Sequence, residues 1–291
     1  MSGEKIRELV VVSGKGGTGK TTVSASLAAL AQSPVMADCD VDASNLELLL
    51  SPTLNLREDF KGGSQAFMDK GKCVECGKCA EVCRFDAFNI SDGEVILNQT
   101  DCEGCGTCAF VCPTGAIEMR EVVGGEIFTS DTRFGPMVHA RLKPGLGNSG
   151  KLATSVKTRA RKIAAETGSK LIIVDGPPGV GCPAIASVTG ATDVLAVTEP
   201  TLSGEHDLRR IIELCSHFKI PVTACVNKAD LNIEMTERIE RACLELGAKV
   251  GGRIPYDKTA IERAREGVPL IAKRSKAADA VAALWEKLKI L

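Results

Sequence analysis

Gly14-Lys15-Gly16-Gly17-Thr18-Gly19-Lys20-Thr21-Thr22 follows the β-branched apolar run Leu9 to Val12 and leads into Val23 to Ala31, a stretch that reads as helix. The pattern is G-x-x-x-x-G-K-[ST], and the order strand, glycine loop, helix is the context in which that pattern binds nucleotide phosphates. Glycines let backbone N–H groups turn inward around phosphate oxygens, Lys20 supplies a point charge for the β and γ phosphates, and the Thr21 hydroxyl ligates Mg²⁺. The whole loop from Gly14 through Thr22 is therefore the expected nucleotide-binding segment.

Outward from this loop the chain keeps alternating short β-branched runs with stretches of helical period. Val35 to Ala37, Leu171 to Val174, Val194 to Thr198, Val222 to Val226 and Val250 to Ile254 read as further strands. Leu208, Ile211, Ile212 and Cys215 recur at helical spacing, as do Met235, Ile239, Ala242, Cys243 and Leu246. The fold class expected is α/β, a doubly wound and mostly parallel sheet. The 36 Lys and Arg against 37 Asp and Glu leave a net charge of −1, and 44% hydrophobic with 3% aromatic residues excludes disorder, a fibre or a strongly basic nucleic-acid coat. No apolar run approaches the roughly 18 residues that span a bilayer, and Met1 to Arg7 lacks the apolar stretch of a signal peptide. A cytoplasmic protein is expected.

The alternation breaks after about Leu50 and resumes near Lys151. We read an insertion into a host domain: residues 1–56 and 131–291 form the P-loop domain, and residues 57–130 form a small inserted α+β domain, with a return, Gly135 to Gly150, rich in Gly and Pro. Of 13 cysteines, eight lie between Cys73 and Cys112. In a reducing compartment, clustered cysteines bind metal more often than each other. They form a repeat: Cys73-Val-Glu-Cys-Gly-Lys-Cys-Ala-Glu-Val-Cys83 matches Cys102-Glu-Gly-Cys-Gly-Thr-Cys-Ala-Phe-Val-Cys112 at an offset of 29. Each half reads C-x₂-C-x₂-C-x₃-C, the bacterial ferredoxin run, in which three cysteines bind one 4Fe-4S cluster and the fourth binds the other. The spacing assigns Cys73, Cys76, Cys79 and Cys112 to one cluster and Cys83, Cys102, Cys105 and Cys108 to the second. Structural zinc, the competing use of such thiolates, favours two C-x₂-C pairs separated by a loop. Pro113 follows Cys112 as the pattern expects; Arg84 follows Cys83, a charge that bears on that cluster's potential.

The early lysine, Lys15, makes the phosphate loop resemble the deviant Walker A motif of the MinD/ParA family, which also includes the nitrogenase iron protein. In that family the early lysine reaches across a homodimer to the partner's nucleotide, so the resemblance implies a role in trans for Lys15. Asp38-Cys-Asp40-Val-Asp42 and Asp175-Gly176-Pro177-Pro178-Gly179 resemble the family's two switch segments. By that resemblance Asp40 positions Mg²⁺ or the attacking water and Asp175 holds Mg²⁺ together with Thr21, which makes Lys15, Lys20 and Asp40 the implied catalytic residues; Asp38 and Asp42 also suit helix caps. Asn227-Lys228-Ala229-Asp230 resembles a base-recognition loop, with Asn227 able to donate to and accept from adenine. The same letters fit a guanine-reading loop, and the deviant Walker A with Asp-Gly-Pro-Pro-Gly favours ATP. Gly251 to Pro255 resembles a further loop near the base. With its insert, the chain is similar to MinD-type ATPases that carry a two-cluster ferredoxin.

The remaining features are weaker. Cys39, Cys215, Cys225 and Cys243 read as buried apolar fillers. Cys182 falls near a position where the nitrogenase iron protein has a cluster ligand, but Val188 to Pro200 offers no second cysteine. From Arg133 to Lys162 there are eight Lys or Arg and no Asp or Glu, a solvated face or a docking surface for an acidic redox partner or, as the resemblance to ParA implies, for nucleic acid, with no aromatic interleaving for single-strand stacking. His139, His206 and His217 form no ligand set. Val281 to Leu291 reads as a packed terminal helix and not a membrane tail. The function expected is an ATP-hydrolysing homodimer that couples nucleotide state to electron transfer through two 4Fe-4S clusters, serving a redox or metalloprotein partner, with neither nucleic acid nor membrane as partner. The alternatives are an ATP-dependent metal or Fe-S carrier, or a positioning ATPase of MinD/ParA kind with structural or sensory clusters.

Overall fold

The computed structural model describes residues 6–143 and 147–289; the first five residues, 144–146 within the Gly- and Pro-rich return, and the last two of the terminal helix lie outside them. In chain order the elements are β1 (Arg7–Ser13), α1 (Lys20–Leu30), β2 (Val35–Asp38), α2 (Leu46–Leu50), β3 (Thr53–Met68), α3 (Lys78–Val82), β4 (Phe88–Ser91), β5 (Glu94–Leu97), α4 (Thr107–Val111), β6 (Ile117–Thr132) and β7 (Gly135–Leu142). Then follow α5 (Ser149–Thr167), β8 (Leu171–Pro178), α6 (Cys182–Val188), β9 (Asp193–Thr198), α7 (Leu202–His217), β10 (Val222–Asn227), α8 (Ile233–Glu245), β11 (Lys249–Ile254), α9 (Lys258–Arg265) and α10 (Lys276–Lys289).

Nine strands form one sheet in the order β11-β10-β9-β1-β8-β2-β7-β6-β3. The pairs of β1 with β8 and β9, of β2 with β8 and β7, and of β10 with β9 and β11 are parallel. A strand covered on both faces must be apolar throughout, and β1 is buried from Glu8 to Ser13. Because the strands run the same way, their carboxyl ends share one edge: Asp38 and Val11 both register with Asp175. That edge is where an open α/β sheet binds ligands. All six strands expected from the sequence are present. The expected faces of α7 and α8 turn inward, with Leu208, Ile211, Ile212, Cys215, Ile239, Ala242 and Cys243 buried.

Strands β3, β6 and β7 were not legible in the apolar pattern; β7 lies inside the Gly- and Pro-rich return. Met137, Val138, His139 and Ala140 are all buried there, and Met36 and Ala37 register with Met137 and Val138. Gly135 begins the strand at φ 144°, with Pro34 O only 2.3 Å from where a Cβ would stand. The turn before it, Arg133-Phe134, is too short for a parallel crossover, so β6 and β7 form a hairpin.

By packing, the chain divides into two units, one of Met1–Arg57, Ile127–Ala140 and Ser149–Leu291, the other of Glu58–Glu126 and Arg141–Asn148. The core of the first joins Leu9, Leu27, Met36, Ile173 and Leu195 to Val281, Leu284, Trp285 and Leu288 of α10. The terminal helix is therefore packed, as its sequence suggested. The second unit has a small core of Ala66, Cys79, Ala87, Phe88, Val95, Cys102, Cys108 and Ile117. Its β4–β5 hairpin turns at Asp92-Gly93, both with positive φ (54° and 85°), the twist a two-residue hairpin needs.

Three residues of the basic stretch, Lys157, Arg161 and Lys162, are paired within the first unit. Lys157 is 2% exposed and its ammonium meets Glu8 Oε1 at 2.7 Å and the carbonyls of Ala186, Ser187 and Thr189 at the end of α6. Arg161 holds the other Glu8 oxygen at 2.7 Å, and Lys162 pairs with Glu166. Burial lowers the Lys157 ammonium below its ordinary value despite Glu8. Removing the ammonium leaves Glu8 with Arg161 alone and takes their buried donor from the carbonyls of Ala186, Ser187 and Thr189. Lys157→Met should cost about 3 kcal/mol in urea denaturation, and adding Glu8→Leu should recover part of the loss.

Candidate functional site

The phosphate loop takes its shape from two left-handed glycines, Gly17 (φ 79°) and Gly19 (φ 88°). Gly19 caps α1 without a side-chain hydrogen bond, which leaves the first-turn N–H groups of that helix open to an anion. A Cβ at Gly19 would lie 2.3 Å from Asn227 Nδ2, and one at Gly14 would lie 2.0 Å from Asp207 Cβ, so both positions are also closed to larger residues by packing. A cleft of about 640 Å³ opens over the loop, lined by Lys15 to Thr22, Asp40, Asp42, Leu48 and Pro177 among others.

Charge is concentrated beneath it. Lys20 Nζ is buried and ion-paired with Asp175 Oδ1 at 3.1 Å and Asp40 Oδ2 at 3.7 Å. Asp175 also accepts from Thr21 Oγ1 at 2.8 Å and from Ser24 Oγ at 2.7 Å. Asp38 is fully buried and accepts from Ser44 Oγ and the backbone N–H groups of Asp40 and Leu46. It thus braces the turn that carries Asp40 and starts α2, while Asp42 stays exposed on the cleft wall. Burial, followed by the charge of Asp175, pushes Asp38 up to about 7. Burial also raises Asp40, partly offset by Lys20. For Lys20, burial alone would lower the ammonium, and the carboxylates of Asp175, Asp38 and Asp40 outweigh it and hold it raised. Thr18 Oγ1 is buried with no hydrogen-bond partner, a polar atom of the loop suited to a phosphate oxygen.

Lys15 is held within its own chain, its ammonium 2.8 Å from Glu199 Oε1 and 3.4 Å from Ser203 Oγ. Glu199 also pairs with Lys228 at 2.9 Å, and Lys228 reaches Gly17 O at 3.1 Å. Burial alone would raise Glu199, and the two lysines outweigh it and hold it below the ordinary carboxylate range. Asn227 donates to Thr18 O at 2.7 Å and its Oδ1 accepts from Lys228 N. One amide hydrogen and one lone pair remain for a base edge. Asp230, the last letter of that motif, accepts from Tyr256 N. Gly251 departs from a base-loop role: it lies inside β11, packed under Leu284 and Thr223, and Arg253 pairs with Glu240. Sequence reasoning missed Ser24, Glu199, Ser203 and Lys228. The signal available for Glu199 was its place one residue beyond a strand end, on the ligand-binding edge.

In the second unit the cysteines sort into two quartets. Cys73, Cys76, Cys79 and Cys112 line one small cavity with Met68, Val95 and Ile117. Cys83, Cys102, Cys105 and Cys108 line another with Phe85 and Phe88. All eight thiols are free. The halves of the repeat share their backbone form: Glu75 and Gly104, Gly77 and Gly106, Asp86 and Gly115 have positive φ in pairs 29 residues apart. Ala116 N donates to Cys112 Sγ at 3.3 Å and Ala66 N to Cys102 Sγ at 3.4 Å. Among the described residues, no group of three or more His, Cys, Asp or Glu converges as a site for a single metal ion. Burial raises Cys215 and Cys243 to about 11 and Cys225 to about 12, and also raises Cys39, as inert fillers require. Cys182 is exposed at the start of α6. No helix among the described residues is long and apolar enough to cross a membrane.

Asp38 carries a pH signature. Its native carboxyl holds a proton in the window between the ordinary carboxylate value and about 7, where the unfolded chain has lost it. Its contribution to stability therefore falls as pH rises through that window and levels off above about 7. Asp38→Asn should flatten the slope of unfolding free energy against pH between about 5 and 8, whatever it does to the absolute stability, as read by urea titrations across that range.

Residues 9–270 match the CobQ/CobB/MinD/ParA nucleotide binding domain. An uncharacterized protein of Methanocaldococcus jannaschii is 34% identical over 294 residues, which cover 98% of this chain and 97% of that one. The chloroplastic septum site-determining protein minD homolog of Arabidopsis thaliana is 26% identical, over 94% of this chain and 71% of its own. Among solved structures, the septum site-determining protein MinD of Pyrococcus horikoshii, complexed with Mg-ADP, aligns with a TM-score of 0.55 at 18% identity, covering 97% of this chain and 95% of that one, a likeness of fold. With its phosphate loop, paired carboxylates and parallel sheet, the chain belongs to the CobQ/CobB/MinD/ParA nucleotide-binding family.

Proposed function

We propose that this chain is an ATP-hydrolysing homodimer whose inserted domain, residues 57–130, is ferredoxin-like and holds two 4Fe-4S clusters, so that nucleotide state is coupled to electron transfer toward a redox or metalloprotein partner. One observation carries the iron-sulfur half: the two cavities of the second unit are lined by the two quartets that the ferredoxin spacing pairs, including the crossed fourth ligands Cys112 and Cys83. When bound, such clusters supply one-electron chemistry. The partnerless buried Thr18 hydroxyl and the Lys20 ammonium at the base of the loop support the nucleotide half.

On the nucleotide side, Lys20 neutralises phosphate charge, Thr21 and Asp175 are the residues that would hold Mg²⁺, and Asp40 accepts a hydrogen bond from the attacking water. The α1 first-turn amides add fixed dipoles. Lys15 serves the partner's nucleotide and must leave Glu199 and Ser203 to do so. Dimer closure thus exchanges one carboxylate partner for phosphate. The MinD names among the relatives favour a second reading, a positioning ATPase in which the clusters are structural or sensory.

Three outcomes are expected. Lys15→Ala should abolish ATP-dependent dimerisation in light scattering and lower turnover by about 10³-fold, as loss of a charge supplied in trans does. Anaerobic reconstitution should load about eight irons per chain, and Cys112→Ser should remove about half of them. Hydrolysis measured with the clusters oxidised and then reduced should differ in rate; equal rates with both clusters intact would decide for the second reading.

A further inference from the structure

The repeat equates each residue with the one 29 positions later, and this makes the two cysteine cavities directly comparable. The cavity of Cys73, Cys76, Cys79 and Cys112 is lined at three such positions by Val74, Lys78 and Thr114. The cavity of Cys83, Cys102, Cys105 and Cys108 is lined at the equivalent positions by Glu103, Thr107 and Phe85. Hydrogen bonding to sulfur is matched. Each quartet has a threonine hydroxyl against a thiol, Thr114 with Cys112 at 3.7 Å and Thr107 with Cys105 at 3.5 Å, and each has one of the backbone N–H donors described above. The charged residues that line the cavities are not matched: Lys78 lines the first and Glu103 the second, while Glu75, whose carboxylate accepts from Val95 N, is not among the lining residues. Arg84, though next to Cys83 in sequence, is not among the residues lining the second cavity.

Reduction of a cluster adds one negative charge, which a neighbouring cation favours and a neighbouring anion opposes. We infer that the two sites are built with unequal reduction potentials, the site of Cys73, Cys76, Cys79 and Cys112 higher and the site of Cys83, Cys102, Cys105 and Cys108 lower, with Lys78 and Glu103 as the residues that separate them. This rests on the reading of the quartets as 4Fe-4S ligands. A single electron delivered by a low-potential one-electron donor then settles on the first site, and transfer within the unit runs from the second site to the first: one electron leaves one cluster and enters the other, with no proton or bond change. A twofold-symmetric repeat thereby becomes a directional one.

The test is a potentiometric titration of the anaerobic holoprotein followed by EPR, with iron content measured on every sample. Wild type should show two midpoints. Lys78→Thr, which installs the residue of the other half, should lower the higher midpoint, and Glu103→Val should raise the lower one. Their combination should narrow the gap. Should either variant lose iron, the converse changes Thr107→Lys and Val74→Glu should raise the lower and lower the higher midpoint respectively. Midpoints that stay fixed, or move in the opposite sense, at full iron content would overturn the inference while leaving the clusters in place. Absence of iron and of any EPR signal in wild type would instead overturn the iron-sulfur reading itself.

Discussion

Asp175 occupies the end of the strand next to β1 and is asked to satisfy Lys20, Thr21 and Ser24 at once. That arrangement depends on a parallel sheet, because only there do β1, β2 and β8 release their carboxyl ends side by side. Once Lys20 is buried its charge must be met locally, and the loop supplies no anion of its own. The carboxylates of Asp175, Asp40 and Asp38 meet it, and burial, followed by the neighbouring charge of Asp175, pushes Asp38 up to about 7. Three carboxylates around one ammonium leave the site short of positive charge and rich in oxygen donors. A divalent cation accompanying an anionic phosphate chain suits that imbalance better than phosphate alone.

The first unit was legible because its strands are buried on both faces and its glycine loop has a strict spacing. Burial on both faces writes an unbroken run such as Leu9 to Val12, and a phosphate loop tolerates few alternatives at Gly19 and Lys20. Strands β3 and β6 were invisible for the opposite reason. Thr53 to Arg57 is exposed throughout, and its alternating Leu54 and Leu56 make no unbroken apolar run. β7 was hidden behind its own glycine and proline, although its middle is wholly buried. The partners of Lys15 were out of reach as well: Glu199 and Ser203 are distant in sequence and have no motif, and only the fold brings them together.

The second unit relies on different physics. Its core is small, and cysteine supplies much of it, with Cys79, Cys102 and Cys108 buried and Cys83 and Cys112 packed at its edge. A thiol contributes little apolar area compared with leucine or phenylalanine. The repeat explains why the halves agree in backbone even where side chains differ: Glu75 tolerates a left-handed conformation that Gly104 adopts without strain, and at Gly104 the carbonyl of Ser64 leaves no room for a side chain.

The buried ammonium of Lys157 has a mechanical meaning. By gathering the carbonyls of Ala186, Ser187 and Thr189 it pins the carboxyl end of α6 to α5, while β8 is locked at the other end between β1 and β2. The segment between these anchors, Gly176 to Gly181, contains three glycines, and Gly179 is tied to Ser13 at the mouth of the phosphate loop. Displacement started at the nucleotide has nowhere to travel along the chain, since both ends are clamped. Any bending between the two anchors would fall to that short glycine-containing span beside the phosphate loop.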